Sequence, residues 1–323
     1  MRLLVTGGAG FIGSNFVRRV HDQTLEGISS VIVLDKMTYA GVKENLDEVL
    51  GHQNFSLVVG DICNQDLVSS LVSEVDAVIN FAAESHVDRS IGSAAEFVET
   101  NVGGVQVLLD AIKATDRNIR FVQVSTDEVY GSIESGSWSE EWPLRPNSPY
   151  SASKAGGELL ARAYYKTHGL DVVITRCSNN YGTHHFPEKL IPLFVTNLLE
   201  GKKVPVYGNG KNVRDWLHVD DHCRGIHKVL MNGRAGEVYN IGGGRELNNL
   251  EITHLILEVM GKDESSIEYV EDRKGHDLRY SVDWTKINRE LGYEPQVKFE
   301  DGLRDTIQWY RDNESWWKPL KSR

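Results

Sequence analysis

Two groups of residues in this sequence have the types and spacing of a proton-transfer site. In the first, Tyr150 and Lys154 are four positions apart, so that on a helix they lie on the same face. A phenol has an ordinary pKa of about 10 and is a poor base at neutral pH. A nearby ammonium would stabilise the phenolate, which could then remove a proton from a hydroxyl group. This spacing is also common on solvated helix faces, so the pair alone does not predict catalysis.

Thr126, Asp127 and Glu128 form the second group, directly after the apolar run Phe121–Ser125. Open α/β sheets bind their ligands at the carboxyl ends of such strands. Hydride transfer does not need two adjacent carboxyl groups, whereas an elimination needs one group to remove a C–H proton and another to protonate the departing hydroxyl. An acidic pair can also be a solvated helix start. The adjoining threonine and the expected position opposite Tyr150 favour the catalytic interpretation.

The beginning of the chain has the arrangement of a dinucleotide-binding turn. The run Leu3–Thr6 predicts a strand, and Gly7, Gly10 and Gly13 follow it where a helix begins. Such glycines permit a tight turn and let the backbone approach a pyrophosphate, which the helix N-terminus then binds. An ordinary strand-to-helix junction is the alternative. Asp35, at the end of the second strand, would bind ribose hydroxyls and repel a 2′-phosphate, so the sequence predicts NAD rather than NADP.

The rest of the sequence predicts a scaffold for these groups. Apolar runs alternate with helix-compatible stretches, which indicates a Rossmann-type, doubly wound α/β fold with a parallel sheet. The further predicted strands are Val31–Leu34, Phe55–Val59, Ala77–Ala82, Phe121–Ser125, Val172–Thr175 and Val238–Ile241. The main predicted helices are Ile12–His21, Glu96–Ala114 and Ala152–Thr167. Turn signals after residue 178 predict a smaller, discontinuous substrate domain (179–217 plus 245–323) beside an NAD-binding domain (1–178 plus 218–244).

Composition argues against several other classes of protein. A formal net charge of −11 does not suit general nucleic-acid binding, which needs a basic face. No apolar run has membrane-spanning length, and no basic leader precedes the first apolar run, so neither a membrane protein nor a signal peptide is predicted. The cysteines, Cys63, Cys177 and Cys223, form no CxxC pair, and a reducing cytoplasm is the expected location.

Several longer motifs accompany the two proton-transfer groups. They are TDEVYG at 126–131, FAAESHVDRS at 81–90, RCSNNYG at 176–182, PEKLIP at 187–192, YGNGKNVRDW at 207–216 and DRKGHDLRY at 272–280. With these motifs the chain resembles the dTDP-glucose 4,6-dehydratase family of the short-chain dehydrogenase/reductase superfamily, up to about residue 280. A departure is Lys274, where a proline is expected, and it concerns loop stiffness rather than chemistry. Related epimerases lack the Asp-Glu pair, and GDP-mannose dehydratases keep only its glutamate.

The resemblance implies a reaction and a role for each catalytic residue. Tyr150 would deprotonate the C4 hydroxyl of dTDP-glucose while a hydride passes from C4 to NAD. Thr126 would polarise the C4 oxygen, and Lys154 would hold the nicotinamide ribose. Glu128 would then remove the C5 proton and Asp127 would protonate the C6 hydroxyl, so that water leaves and the hydride returns to C6. The product would be dTDP-4-keto-6-deoxyglucose, and the resemblance suggests a homodimer.

The same resemblance implies two sets of binding residues. Besides the three glycines, Tyr150 and Lys154, the cofactor set comprises Phe11, Ile12, Asp35, Lys36, Thr38, Asp61, Ile62, Phe81, Ala82, Ala83, Thr100 and Asn180. The substrate set comprises Ser85, Thr126, Asn179, Lys189, Leu190, Pro205, Tyr207, Arg214, Asn249, His276 and Arg279. Arg214 and Lys189 suit a diphosphate, because charge-assisted hydrogen bonds to phosphate are strong. A surface charge is the alternative for each.

Other interpretations stay open at this point. His218 and His222 are spaced like metal ligands, but no further ligand motif supports them, and Asp220 or Asp221 is expected to cap a helix instead. No metal is therefore predicted. A different sugar-nucleotide epimerase or dehydratase would share this fold, as would an NAD-binding sensor without catalytic activity. The complete proton-transfer set argues against the sensor.

Overall fold

The computed structural model describes residues 1–322, and a parallel sheet lies at its centre. The strands are β1 (Arg2–Thr6), β2 (Ser30–Asp35), β3 (Phe55–Val59), β4 (Ala77–Asn80), β5 (Arg120–Thr126), β6 (Val172–Cys177), β7 (Asn179–Tyr181), β8 (Val204–Tyr207), β9 (Val213–His218), β10 (Val238–Ile241), β11 (Glu246–Asn248) and β12 (Ile267–Val270). Seven of them form the large sheet in the order β10-β6-β5-β4-β1-β2-β3, with every neighbouring pair parallel. The predicted Rossmann-type fold is confirmed.

The helices of residues 1–322 cover both faces of this sheet and also pack outside it. They are α1 (Phe11–His21), α2 (Gln65–Ser73), α3 (Val87–Gly92), α4 (Ala95–Val98), α5 (Val105–Lys113), α6 (Pro149–His168), α7 (Leu190–Leu199), α8 (Val219–Asn232), α9 (Asn249–Met260), α10 (Thr285–Leu291), α11 (Phe299–Asp312) and α12 (Glu314–Leu320). One buried apolar cluster joins α1, α8 and α10 to one face, and another joins α2, α5 and α6 to the other. A strand buried on both faces explains the near-continuous apolar runs.

The predicted helix Glu96–Ala114 is wrong in one respect, because a π-helical turn at Glu99–Gly104 interrupts it. The turn packs against α6, where Asn101 Nδ2 donates to Ser153 Oγ at 2.8 Å. A Cβ at Gly157 would lie 2.2 Å from the Asn101 carbonyl oxygen, so the two helices meet backbone to backbone. This contact fixes the helix that carries Tyr150 and Lys154.

The strand order determines where a ligand can bind. From β1 the chain builds the sheet outward through β2 and β3, and it then returns to the other side of β1 with β4. The loops after β1 and β4 therefore diverge and leave a crevice at the carboxyl ends of the strands, which is the usual ligand site of such sheets.

Two small sheets lie outside the large one. The first has the order β11-β9-β7, and the second pairs β8 with β12. A third apolar cluster packs these strands with α7, α9, α11 and α12, and Trp317 is fully buried in it. All five strands come from the two segments predicted to form the substrate domain. The division into domains itself stays a prediction.

The start of α8 differs from the prediction. His218 caps this helix through Nδ1, which accepts from the backbone N–H of Asp220 at 3.2 Å. Asp220 instead binds Arg19, and Asp221 accepts the backbone N–H groups of Gln296 and Val297. The two carboxylates are taken by distant donors that local sequence does not reveal. Among residues 1–322, no helix has the length and apolar character needed to cross a membrane.

Candidate active site

The glycine turn after β1 forms one wall of the crevice. Gly7 has a φ of +68°, and a Cβ there would lie 2.5 Å from the backbone nitrogen of Ala82 on the opposite wall. A Cβ at Gly13 would lie 2.4 Å from the Gly7 carbonyl oxygen, which shows how closely α1 packs on the turn. Only glycine fits these two positions without displacing backbone. The turn and the start of α1 thus provide the cradle that a pyrophosphate requires.

Asp35 lies at the end of β2 and at the floor of the same crevice. Its Oδ2 accepts the Ala9 N–H at 2.9 Å, and its Oδ1 accepts the Met37 N–H at 2.8 Å. Burial raises the pKa of this carboxyl, and the two backbone hydrogen bonds oppose the shift. A carboxylate oxygen can accept more than one hydrogen bond, so both keep capacity for a ribose hydroxyl. The site therefore fits the adenosine half of NAD.

One cleft brings together every residue of the predicted cofactor set and the catalytic set. It is lined by Gly7, Gly10, Phe11, Ile12, Gly13, Asp35, Lys36, Thr38, Asp61, Ile62, Phe81, Ala82, Ala83, Thr100, Thr126, Asp127, Glu128, Tyr150, Lys154 and Asn180. Besides Thr126, three residues of the predicted substrate set, Ser85, Asn179 and Lys189, line it as well. These residues are up to 182 positions apart in sequence, and they meet because the strands before them all end at this edge of the sheet.

Tyr150 is positioned by the start of α6. Pro149 occupies the first turn, and Ser148 forms a reciprocal capping box with Ser151. The backbone N–H of Tyr150 donates to Ser90 Oγ at 3.2 Å, which ties the helix start to α3. Because this N–H lies in the first turn, it has no partner within the helix. The cap and the serine together fix where the phenol enters the cleft.

The pKa shifts of Tyr150 and Lys154 do not favour the phenolate that the spacing of the two residues suggests. Burial raises the pKa of Tyr150 well above its ordinary value, and the charge of Glu128 adds to the shift. Burial lowers the pKa of Lys154 to about 8. Its ammonium donates to the Val124 carbonyl oxygen at 2.7 Å. The protein groups by themselves therefore favour the neutral phenol, and the lysine is anchored to β5.

Asp127 and Glu128 begin a short 3-10 helix, Asp127–Tyr130, which Thr126 caps. The Thr126 hydroxyl accepts the Glu128 N–H at 3.3 Å and donates to Asp127 Oδ1 at 3.2 Å. The other oxygen of Asp127 is buried and has no hydrogen-bond partner within residues 1–322. Burial, followed by the Glu128 charge, raises the pKa of Asp127 well above its ordinary value. These shifts favour the neutral, protonated form of Asp127 next to a second carboxyl group.

Three cations from other parts of the chain surround Glu128. Burial raises the pKa of Glu128, and the charges of Arg214, Arg273 and Lys189 oppose this shift in that order. Arg214 is only 5% exposed, and its guanidinium stacks 4.2 Å from the centroid of the Tyr280 ring. Such a cluster suits an anionic ligand. Arg273 lies in the DRKGHDLRY motif but is not among the residues predicted from the sequence to bind the substrate.

The remaining predicted substrate residues do not line the cleft. They are Leu190, Pro205, Tyr207, Arg214, Asn249, His276 and Arg279. Tyr207 and His276 are neighbours, with ring centroids 6.3 Å apart. The guanidinium of Arg279 donates two hydrogen bonds of 2.7 Å to the Glu246 carboxylate, so these donors are not available to a ligand. The structure therefore groups Tyr207 with His276 but gives Arg279 a carboxylate partner.

Several residues that line the cleft were not predicted from the sequence as site residues. Glu84, Ser178, His185, Phe186 and Glu188 also face the cleft. Glu84, Ser178 and Glu188 fall inside the motifs at 81–90, 176–182 and 187–192, which was the available signal, whereas His185 and Phe186 lie between motifs.

The candidate metal ligands have other partners. His222 Nδ1 lies 2.9 Å from Asn180 Oδ1, and His218 caps α8. Within residues 1–322 no three His, Cys, Asp or Glu side chains are grouped as metal ligands.

The fold, the glycine turn and the Tyr-Lys pair define an NAD-binding enzyme of the short-chain dehydrogenase/reductase class. The model of the GDP-mannose 4,6-dehydratase family matches residues 4–306. The dTDP-glucose 4,6-dehydratase of Streptomyces niveus is 60% identical over 324 residues, which is 100% of this chain and 96% of the relative. The chain belongs to the dTDP-glucose 4,6-dehydratase family, as its motifs predict.

Solved structures agree with this membership. The dTDP-glucose 4,6-dehydratase of Streptomyces venezuelae, solved with NAD and dTDP bound, has a TM-score of 0.98 and 60% identity, covering 99% of this chain and 100% of that chain. A UDP-glucose 4-epimerase of Thermotoga maritima has a TM-score of 0.89 at 30% identity, covering 97% and 100%. The fold is thus shared with epimerases and does not by itself separate the two activities.

Proposed function

We propose that this protein is an NAD-dependent dTDP-glucose 4,6-dehydratase, a hydro-lyase that converts dTDP-glucose to dTDP-4-keto-6-deoxyglucose. The observation that carries this proposal is the buried acid pair. Among residues 1–322 one oxygen of Asp127 has no partner, its pKa is strongly raised, and it adjoins Glu128 in the cleft that also contains Tyr150. An epimerase only moves a hydride and a proton at C4, so it has no use for such a pair.

The residues of the cleft divide the reaction between them. Tyr150 takes the proton of the C4 hydroxyl, and Thr126, next to it, hydrogen bonds the C4 oxygen. Once C4 is a ketone, the neighbouring C5 proton is acidic, and Glu128 removes it. Asp127 donates its proton to the C6 hydroxyl, which leaves as water. Each proton has a separate carrier, as an elimination requires.

NAD, when bound, would accept the C4 hydride and return it to C6 while Glu128 returns a proton to C5, and its positive nicotinamide would favour the Tyr150 phenolate. Lys154 holds the nicotinamide ribose, and its hydrogen bond to the Val124 carbonyl oxygen fixes its position. Asp35 binds the adenine ribose. Asp61, which pairs with Lys36 at 2.7 Å, and Ile62 flank the adenine.

The diphosphate of the substrate binds near the cations beside Glu128. Lys189 and Arg214 are placed there by the start of α7 and by β9, and the Lys189 ammonium donates to the Ser85 carbonyl oxygen at 2.9 Å. Tyr207 and His276 form the thymine end of the site, with Pro205 and Asn249 nearby. Arg279 forms an ion pair with Glu246, and this ion pair must open before Arg279 can contact a phosphate.

The predicted assembly and location accompany this proposal. A homodimer is proposed from the family, and a cytoplasmic location follows from the use of unpaired cysteines.

A direct experiment is to mix the purified protein with dTDP-glucose and measure the alkali-induced absorbance of a 4-keto-6-deoxy product. The proposal expects this absorbance without added cofactor, since NAD is regenerated in place. Formation of a C4 epimer and no keto sugar would assign the protein to the epimerases. Binding of NAD without turnover would assign it to the sensors.

A further inference from the structure

Asn45 connects the glycine turn to the last helix of the chain. Its Nδ2 donates to the Ala9 carbonyl oxygen at 2.9 Å, and its Oδ1 accepts from Trp316 Nε1 at 3.0 Å. Asn45 is only 2% exposed, so water does not compete for these bonds. Ala9 belongs to the turn between β1 and α1, and Trp316 belongs to α12. One side chain therefore bridges two segments that are about 300 positions apart in sequence.

Further hydrogen bonds converge on the same peptide groups. The Ala9 carbonyl oxygen also accepts the Val42 N–H at 3.1 Å, while the Ala9 N–H donates to Asp35. Arg18 of α1 donates to the Asn45 carbonyl oxygen at 2.7 Å. Both peptide groups of Ala9 are thus held, and the orientation of the neighbouring N–H groups that would face a pyrophosphate is fixed with them.

A stacking contact runs parallel to this hydrogen-bonded connection. His185 stacks on Phe11, with centroids 4.0 Å apart, and its carbonyl oxygen accepts the hydroxyl of Tyr310 on α11. The adjacent His184 packs between Trp309 and Trp316, at 4.3 and 5.6 Å between centroids. Helix α11 therefore supports the glycine turn through Tyr310, His185 and Phe11, where the last step is a stacking contact, whereas α12 supports it through Asn45 by hydrogen bonds at every step.

We infer that Asn45 and Trp316 are positioning residues of the cofactor site, which hold the glycine turn in its binding conformation and slow the release of NAD. The inference rests on the proposed function, because it takes NAD as the bound dinucleotide. A turn that is already ordered loses little conformational entropy on binding, and loosening it makes local opening easier. An enzyme that returns its cofactor to the starting state gains from retaining it.

Trp316→Phe tests the connection with little loss of packing, because it removes the indole N–H and keeps an aromatic ring. The holoenzyme is loaded with labelled NAD and chased with excess unlabelled NAD. We expect release at least about tenfold faster, the factor that a buried group left without its partner produces. Asn45→Asp breaks the other bond, since a carboxylate cannot donate to Ala9, and should also accelerate release. This second variant keeps the test decisive should the first not fold.

Trp309→Phe is the matched control. Trp309 packs 5.0 Å from Trp316 between centroids, so its loss disturbs the same aromatic cluster while the bond to Asn45 remains. We expect its NAD release to equal that of the parent, and we expect saturating NAD to restore the kcat of Trp316→Phe to within about twofold of the parent.

Parent-like release from both Trp316→Phe and Asn45→Asp would refute the inference. Equally fast release from Trp309→Phe would attribute the effect to general loosening, and a kcat that NAD cannot restore would attribute it to damaged catalysis; either overturns the inference. A parent protein that retains no labelled NAD at all would instead overturn the proposed function.

Discussion

Asp127→Asn should separate oxidation of the substrate from elimination of water. In the structure Asp127 is 2% exposed, and burial and then the charge of Glu128 raise its pKa well above the ordinary value, which favours the protonated form that a general acid needs. Asparagine has nearly the same shape and is also neutral, but it cannot supply the proton that the C6 hydroxyl needs. Loss of a positioned general acid lowers a rate by about 10²–10⁴-fold, which is about 3–5 kcal/mol of barrier.

The oxidation step should survive this change, since it depends on Tyr150 and not on Asp127. Rapid mixing with dTDP-glucose should therefore show NADH absorbance that persists, together with a 4-keto-glucose product. Glu128 remains able to remove the C5 proton, so that deuterium from solvent should enter C5. Glu128→Gln is the matched variant: it should lose turnover by a similar factor and retain NADH formation, but it should lose the C5 exchange.

Two results would refute this reasoning. Unchanged turnover in both variants would remove the acid pair from the mechanism. Failure of both variants to form any NADH would show that the pair acts in the oxidation, or in binding, and that the division of roles between Asp127 and Tyr150 is wrong.

Four further predictions follow from the site. Tyr150→Phe should bind substrate yet form no NADH on rapid mixing; near-parental turnover would contradict this. Calorimetry on NAD-free protein should show tighter binding of NAD than of NADP because of Asp35, and equal affinities would remove that assignment. Gly7→Ala should lower both the NAD content and the melting temperature. Gly51 also has a positive φ, but a Cβ there would have no atom within 4 Å, so Gly51→Ala should lower only the melting temperature. Burial lowers the pKa of Lys154 to about 8, so this side chain binds fewer protons in the folded state than in the unfolded state. The free energy of unfolding should therefore rise by about 2 kcal/mol between about pH 7 and pH 9.5, and Lys154→Met should abolish this rise.

The sequence by itself determined the features that depend on local order along the chain. The four-residue spacing of Tyr150 and Lys154, the adjacency of Asp127 and Glu128, and the glycines after β1 are properties of short segments. The alternation of apolar strands with helices indicated the parallel sheet, because a strand covered on both faces must be apolar throughout. The fold prediction agrees with the structure because backbone periodicity and turn chemistry act over only a few residues.

The tertiary structure decided which groups meet and in what electrostatic state. Burial, which no local pattern specifies, raises the pKa of Asp127 and lowers the pKa of Lys154. The convergence of Arg214 and Arg273 on Glu128 also depends on how β9 and the 272–280 segment pack against the sheet. These properties arise from desolvation and from contacts between distant segments, and both exist only once the chain has packed.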